Sequence, residues 1–236
     1  MSTSPTGSRS RTDRAPVGAR AADPLLDPGE FRPPGGALGE MHAHSIPRSR
    51  DSGVRPEVLA AQAVLIGLDF VVLTEHNAIW PADELRVLGE QSEVLLLRGM
   101  ELGTDLGHVL VYGLDHYSLE LLSIRRLRSI VKAEGAAMAL AHPMRPLSSG
   151  RSPSWEEISE LFDGIEVVNG DHGNPVDGYY SRLAADLGVA AIGGSDVHSR
   201  EAVGRVATAF PEPVRDLGSL VRFIHEQRVY PVDLRP

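Results

Sequence analysis

From about Leu38 onward, short apolar runs alternate with segments of helical periodicity, and this alternation most constrains the fold. The apolar runs are Gly39–His44, Phe70–Thr74, Val94–Glu101, His108–Gly113, Ala137–Ala141, Gly164–Val168 and Ala190–Ser195. Most are short and continuously apolar, as strands buried on both faces are. Between them, helical patterns cover Pro56–Gly67, Pro81–Glu90, Leu119–Glu134, Trp155–Leu161 and Val176–Leu187, and a late one covers Leu217–Glu226. Pro56 and Pro81 stand where a helix opens; Gly67, Gly135 and Gly188 stand where one closes. Repeated strand–helix alternation predicts a parallel sheet with helices outside it, and seven such strands predict a closed or nearly closed α/β barrel. A chain of 236 residues suits one such domain. Barrels of this kind carry their chemistry at the C-terminal ends of the strands, so functional residues are expected there.

Composition narrows the chemistry. Cysteine is absent, which removes disulfides, thiolate-bound zinc, iron–sulfur clusters and thiol nucleophiles. Any metal must sit on nitrogen and oxygen ligands, which suit manganese, iron or zinc. The net charge is -9. Residues 1–38 balance five Arg against four acidic residues, so the acidity belongs to the remainder. An acidic body is a poor binder of extended nucleic acid, though a short phosphorylated substrate held by metal ions is compatible with it. No apolar run is long enough to span a membrane, and the N-terminus lacks the apolar core of a secretory signal. A cytoplasmic protein is therefore expected. The Arg-, Ser-, Pro- and Ala-rich residues 1–38 read as a disordered tail, and residues 39–236 as the domain. Nothing in the pattern fixes an oligomeric state.

The titratable residues gather at the expected rim. His42 and His44 end the first apolar run; two apart on a strand, they point the same way. His76 follows the second run in Thr74-Glu75-His76-Asn77, and Glu101 ends the third. His108 opens the fourth after Gly107, His142 follows the fifth, and Asp196 and His198 follow the seventh. Asp51 lies in the loop after the first. A lone His is usually structural, but six of the nine His of this chain fall at strand ends or starts on one rim. Burying so many titratable groups together is costly unless cations neutralise the carboxylates and accept the imidazole lone pairs. A metal-dependent hydrolase is the expectation. His116, His172 and His225 are read as structural or exposed, with His172 near enough to the rim to touch substrate.

The order of these motifs resembles the polymerase and histidinol phosphatase (PHP) superfamily across about residues 39–210. The matching pieces are Glu40-Met-His-Ala-His-Ser, Ser49-Arg-Asp51-Ser, Thr74-Glu-His-Asn, Gly99-Met-Glu101, Gly107-His108, Ala141-His142-Pro143, Ile165-Glu-Val-Val-Asn169 and Gly193-Gly-Ser-Asp196-Val-His198. The resemblance implies a distorted (β/α)7 TIM-like barrel with two or three divalent ions at the strand ends. It implies a first ion on His42, His44, Glu101 and Asp196, a second on Glu101, His108 and His142, and a third on Asp51, His76 and His198. Glu40-Met41 and Glu75 depart from the family's usual residues but keep a carboxylate.

That machinery suits a phosphate ester. Clustered divalent ions lower the pKa of a bound water and neutralise phosphate oxygens. The expected reaction is in-line attack by a metal-bridging hydroxide, with His198 or a bound water protonating the leaving oxygen. Arg145, on the rim loop after His142, is the expected phosphate-binding Arg, with Arg48 and Arg205 behind it. A phosphomonoesterase acting on a small soluble metabolite (a sugar, amino-alcohol or nucleotide phosphate) is the leading expectation. A phosphodiesterase or exonuclease on nucleotides or short oligonucleotides is the alternative, and a metal-loaded regulatory module without turnover is the alternative of another class. Ile79, Trp80, Met144, Leu147, His172 and Tyr179 are expected around the pocket, with Trp80 packing in its wall.

Overall fold

The computed structural model describes residues 25–145, 151–172 and 178–236. Its strands are β1 (Ala37–Ala43), β2 (Phe70–His76), β3 (Leu95–Thr104), β4 (Gly107–Tyr112), β5 (Ala137–Leu140), β6 (Gly164–Asn169), β7 (Ala190–Gly194), β8 (Val206–Phe210) and β9 (Tyr230–Asp233). Its helices are α1 (Pro56–Ile66), α2 (Ala82–Glu90), α3 (Ile124–Glu134), α4 (Trp155–Leu161), α5 (Tyr179–Leu187) and α6 (Leu217–His225). The strands form one sheet in the order β7-β6-β5-β4-β3-β2-β1-β8-β9. The result is the expected α/β architecture, a nearly closed barrel with helices around it.

Helix formation follows the local chemistry. In α1 the buried residues Pro56, Leu59, Ala60 and Ala63 share one face at helical spacing, and Gly67 ends the helix with φ 82°. Strand parity then sorts side chains. In β3, Leu97 and Glu101 face inward with Gly99 between them, while Met100 and Leu102 pack outward. The inward set at the lower end includes Phe70, Tyr112, Ala137, Ala190 and Phe210, against which α6 packs Leu220, Val221, Phe223 and Ile224. This plug of carbon fills one end of the barrel and leaves the other for polar groups.

Closure occurs between the two ends of the sheet. Thr208 Oγ1 accepts the Gly193 N–H at 2.9 Å and donates to the Gly193 carbonyl at 2.7 Å. Ser195 Oγ does the same to Val206, donating to its carbonyl at 2.9 Å and accepting its N–H at 3.0 Å. At the upper rim β1 bonds the segment after β7 directly, His44 N–H to the Val197 carbonyl at 3.0 Å and Val197 N–H to the His42 carbonyl at 3.1 Å.

Three expectations are corrected. The sheet is not wholly parallel: β4 runs antiparallel to β3 and β5, and β8 antiparallel to β1 and β9. Only Asp105 and Leu106 separate β3 from β4, and so short a connection makes a hairpin, never a crossover. The strands β8 and β9 were not expected; they take the place of a further strand–helix unit after β7. The tail boundary at 38 is too late. Leu26 donates its N–H to the Leu234 carbonyl at 2.8 Å, and Arg32 pairs with Asp69, whose carboxylate also accepts the Leu38 N–H at 2.7 Å. Residues 1–24 of the tail, Leu147, and the expected start of α5 at Val176 lie outside the described residues. Among the described residues, no helix is long and apolar enough to cross a membrane.

Replacing Thr208 by Val removes both seam bonds at a buried position while keeping the shape. Urea unfolding of Thr208→Val is expected to show a loss of about 1–3 kcal/mol, because two buried backbone groups of Gly193 lose their partners; an unchanged midpoint would show that the seam does not depend on this hydroxyl.

Candidate metal centre

The upper rim brings together the nine residues singled out in the sequence. His42 and His44 leave β1 side by side, His76 ends β2 opposite Glu101 in the β2–β3 register, and Glu101 faces inward by the parity that buries Leu97. His108 arrives from the start of β4, because the hairpin reverses that strand and carries its first turn to the same rim. His142 and Asp196 follow β5 and β7 with φ values of 27° and 54°. A non-glycine residue in the left-handed region is strained, and here the strain turns two side chains toward the centre.

Four atoms converge around one point. Nε2 of His42 lies 3.5 Å from Glu101 Oε2 and 3.4 Å from Asp196 Oδ1. Nε2 of His44 lies 3.3 Å from each of the same two atoms. Tetrahedral ligands about 2.0–2.2 Å from a metal ion are separated by roughly 3.3–3.6 Å. These spacings are long for hydrogen bonds and right for four ligands of one ion. Three of the four converging atoms, Nε2 of His42, Nε2 of His44 and Oε2 of Glu101, are buried with no hydrogen-bond partner among the described residues. Glu101 Oε2 lies 2.8 Å from His76 Nδ1, again outside hydrogen-bond angles. Buried lone pairs turned toward a common point are costly without a cation, so this donor set fits one.

Two further clusters adjoin it. Glu101 Oε1 lies 2.8 Å from His108 Nδ1 and 3.0 Å from His142 Nε2. One carboxylate therefore serves two clusters, one per oxygen. On the other side Asp51 Oδ2 lies 3.0 Å from His76 Nε2 and 3.4 Å from His198 Nε2, and the donors of His44, His76 and His198 also group together.

A second layer orients these donors. Glu166 Oε1 lies 2.9 Å from His42 Nδ1, and its Oε2 accepts the His142 N–H at 2.8 Å and the Asn169 amide at 3.0 Å. With Nδ1–H donated to Glu166, Nε2 of His42 faces the centre, where an ion would take the place of its proton. Glu75 is saturated by the Ser45 N–H at 2.9 Å, the Trp80 indole at 2.7 Å, the Ser49 hydroxyl at 2.5 Å and the Ser45 hydroxyl, so it braces the first loop and is not free to ligate. Glu40 accepts the N–H groups of His42 and Ser195 at 3.0 and 2.8 Å, tying β1 to the end of β7. The role of Glu166 was not foreseen; its signal was a carboxylate in the middle of the apolar run Gly164–Val168.

The charges are mutually adjusted. Burial disfavours a charged His42, yet Glu166, Asp196 and Glu101 outweigh it and hold its pKa well above the usual imidazole value. Burial, with His42 beside it, pushes His44 down to about 4. Burial opposes the charge of Glu101 too, but His42, His108 and His142 hold it ionised far below the carboxylate range.

The remaining candidates separate. Arg145 is exposed and borders a small cavity that also contains His108 and His142. Arg48 stacks on Trp80, 4.5 Å from the ring centroid, and reaches Glu84 at 3.2 Å; Arg205 lines a groove elsewhere with Arg200 and Arg235. Neither is drawn to the centre. Trp80 packs in the wall as expected. His172, favoured as structural, instead reaches the site: its Nε2 is buried without a hydrogen-bond partner among the described residues, 4.0 Å from Asp196 Oδ2. Arg235 holds this loop, donating through Nη1 to the carbonyls of Asn169, Gly170 and His172 at 3.3, 3.4 and 3.2 Å.

The chain has informative similarities to known proteins. Residues 181–229 match the family model PHP_C, described as PHP-associated. The uncharacterized protein MJ1587 of Methanocaldococcus jannaschii is 27% identical over 123 residues, covering 52% of this chain and 70% of that protein. A two-domain protein of Bacteroides vulgatus containing a predicted PHP-like metal-dependent phosphoesterase shares the fold with a TM-score of 0.69 and 23% identity, covering 92% of this chain and 70% of that one. The lesion-specific endonuclease EndoQ of Pyrococcus furiosus has a TM-score of 0.57 and 12% identity, covering 81% of this chain and 56% of that one.

Two measurements check the centre. A Cβ on Gly194 would lie 2.4 Å from His42 Cβ and 2.8 Å from Glu166 Oε1, so Gly194→Ala is expected to weaken metal affinity at least tenfold by displacing that pair. An ion must also displace the proton that the surrounding carboxylates hold on His42. Calorimetry in buffers of different ionisation enthalpy is expected to show proton release on metal binding, with affinity rising as pH rises; uptake without proton release contradicts a His42 ligand.

Proposed function

We propose that this chain, a member of the PHP superfamily of metal-dependent phosphoesterases, is a phosphomonoesterase acting on a small phosphorylated metabolite. The observation that carries the proposal is the four-atom convergence of His42, His44, Glu101 and Asp196, with Glu101 turning its second oxygen to His108 and His142. We assign His42, His44, Glu101 and Asp196 to one divalent ion, Glu101, His108 and His142 to a second, and Asp51, His76 and His198 to a third. The nitrogen and oxygen donors suit manganese, iron or zinc. Bound ions would supply an activated water and neutralise the phosphate oxygens.

The protein's own groups do the rest. Glu166 fixes the tautomer of His42 and, through the His142 N–H, the start of the strained β5 loop. His198 lies with Nδ1 2.9 Å from the Asp196 carbonyl, so its Nδ1–H is committed there and Nε2 faces Asp51. This favours a holding role for His198 over delivery of a proton to the leaving oxygen. Arg145, exposed at the rim beside His142, is assigned to the substrate phosphate, whose oxygens its fork matches. The net charge of -9 favours a small substrate over a nucleic acid strand, although the fold is shared with a lesion-specific endonuclease.

The test is phosphate release across metabolite esters after reconstitution with manganese, iron or zinc, beside short DNA and RNA ladders. Monoesters are expected to be cleaved and the ladders left intact. His42→Ala and Asp196→Ala are expected to lose activity by about 100-fold or more. Normal turnover by either variant refutes the assignment; shortening of the ladders moves the reading to a nuclease, and bound metal without any turnover moves it to a regulatory module.

A further inference from the structure

Beside the second cluster lies a cavity of about 180 Å³ whose lining includes His108, His142 and Arg145. The other described lining residues are mostly of apolar type. Leu106 comes from the β3–β4 turn, Trp155 and Ile158 from α4, and Tyr180 from α5. Its described lining holds no Asp, Glu, Asn, Gln or Lys.

Size and chemistry both select the occupant. An apolar cavity of about 150 Å³ holds benzene. This one takes such a ring with room for a connecting carbon. A sugar would bring several hydroxyls, and beyond the candidate metal ligands the described side chains of the wall answer them only with Arg145, Ser152 and Tyr180. Each unanswered buried polar group opposes binding. An amino-alcohol would bring a cation with no carboxylate in the described lining to meet it. A ring instead meets the aromatic side chains of Trp155 and Tyr180.

We propose that the alcohol half of the substrate carries a single benzene-sized ring, seated in this cavity while its phosphate lies at the candidate metal centre. The proposal rests on the phosphoesterase reading for the phosphate and on the cavity alone for the ring. Tyr180 and Trp155 are thereby specificity-determining residues, with Leu106 closing the wall nearest His108.

Two readouts keep the two readings apart. Benzyl alcohol is titrated into the full-length protein without added metal, by calorimetry and by tryptophan fluorescence. Binding is expected, with a fluorescence change that disappears in Trp155→Phe, since the chain's other tryptophan, Trp80, is buried against Glu75. Tyr180→Ala and, at an exposed position on the lining, Ser152→Phe are each expected to weaken this binding about tenfold, the first by removing apolar contact and the second by filling space. With metal restored, kcat/KM for benzyl phosphate is expected to exceed that for glycerol phosphate by tenfold or more, and both substitutions to lower that ratio. Equal rates on the two esters, a preference for glucose 6-phosphate or adenosine monophosphate, or benzyl alcohol binding that ignores both substitutions would overturn the proposal. Ring binding that responds to both substitutions, in a metal-loaded protein that cleaves no phosphate ester, supports the cavity assignment and removes the phosphoesterase reading instead.

Discussion

The backbone pairing of His42 and His44 with Val197 is the contact on which the rest depends. It joins the first strand to the segment after the seventh, so the seam of the barrel and the floor of the candidate metal centre are the same few residues. His42 and His44 alternate with bonds to Val197, and Val197 stands between Asp196 and His198. The period-two geometry of β1 puts His42 and His44 on one side of this seam, and the left-handed backbone at Asp196 turns its carboxylate to the same place. Glu40 reinforces it by accepting N–H groups from both sides. The groups that would bind ions are thus positioned by the same bonds that close the fold.

Below the seam the barrel is carbon; above it, nearly every inward group is ionisable. That division explains the paired carboxylates. Buried Glu75 is fully satisfied by donors and stays structural, whereas Glu101 turns one oxygen to each of two clusters and has too few donors of its own. The difference separates a brace from a bridge without reference to their shared side-chain chemistry. Glu166 lies between these cases, since each of its oxygens is hydrogen-bonded and its effect reaches the centre only through His42 and His142.

Much of this was legible in the sequence because strand ends are marked there. Apolar runs give strand parity, and a His or acid at the end of such a run falls on the rim; this located His42, His44, His76, Glu101, His142, Asp196 and His198. The hidden parts share a physical cause. Val206–Phe210 is short and rich in small residues, and Tyr230–Asp233 contains Pro231, so neither carries the apolar run of a central strand; they are strands because the barrel needs partners there. Glu166 pairs with a residue 124 positions away, which no local pattern encodes. His172 depends on a loop held by Arg235, near the far end of the domain. The reversal of β4 was written in its two-residue turn but outweighed by the regular alternation around it.

That reversal has a consequence for how such a site can vary. In an ordinary strand–loop–helix barrel, a donor and the wall of a neighbouring cavity sit on separate loops and can drift apart over generations. Here a single hairpin carries Glu101 up, turns at Leu106 and returns with His108. If the proposed cavity and the His108 assignment hold, selectivity and ion affinity are mechanically geared together at that turn. A lineage that reshapes the cavity through Leu106 also moves His108, so new substrates should be reached more readily by changes in α4 and α5, where the wall can be recut while the hairpin stands still.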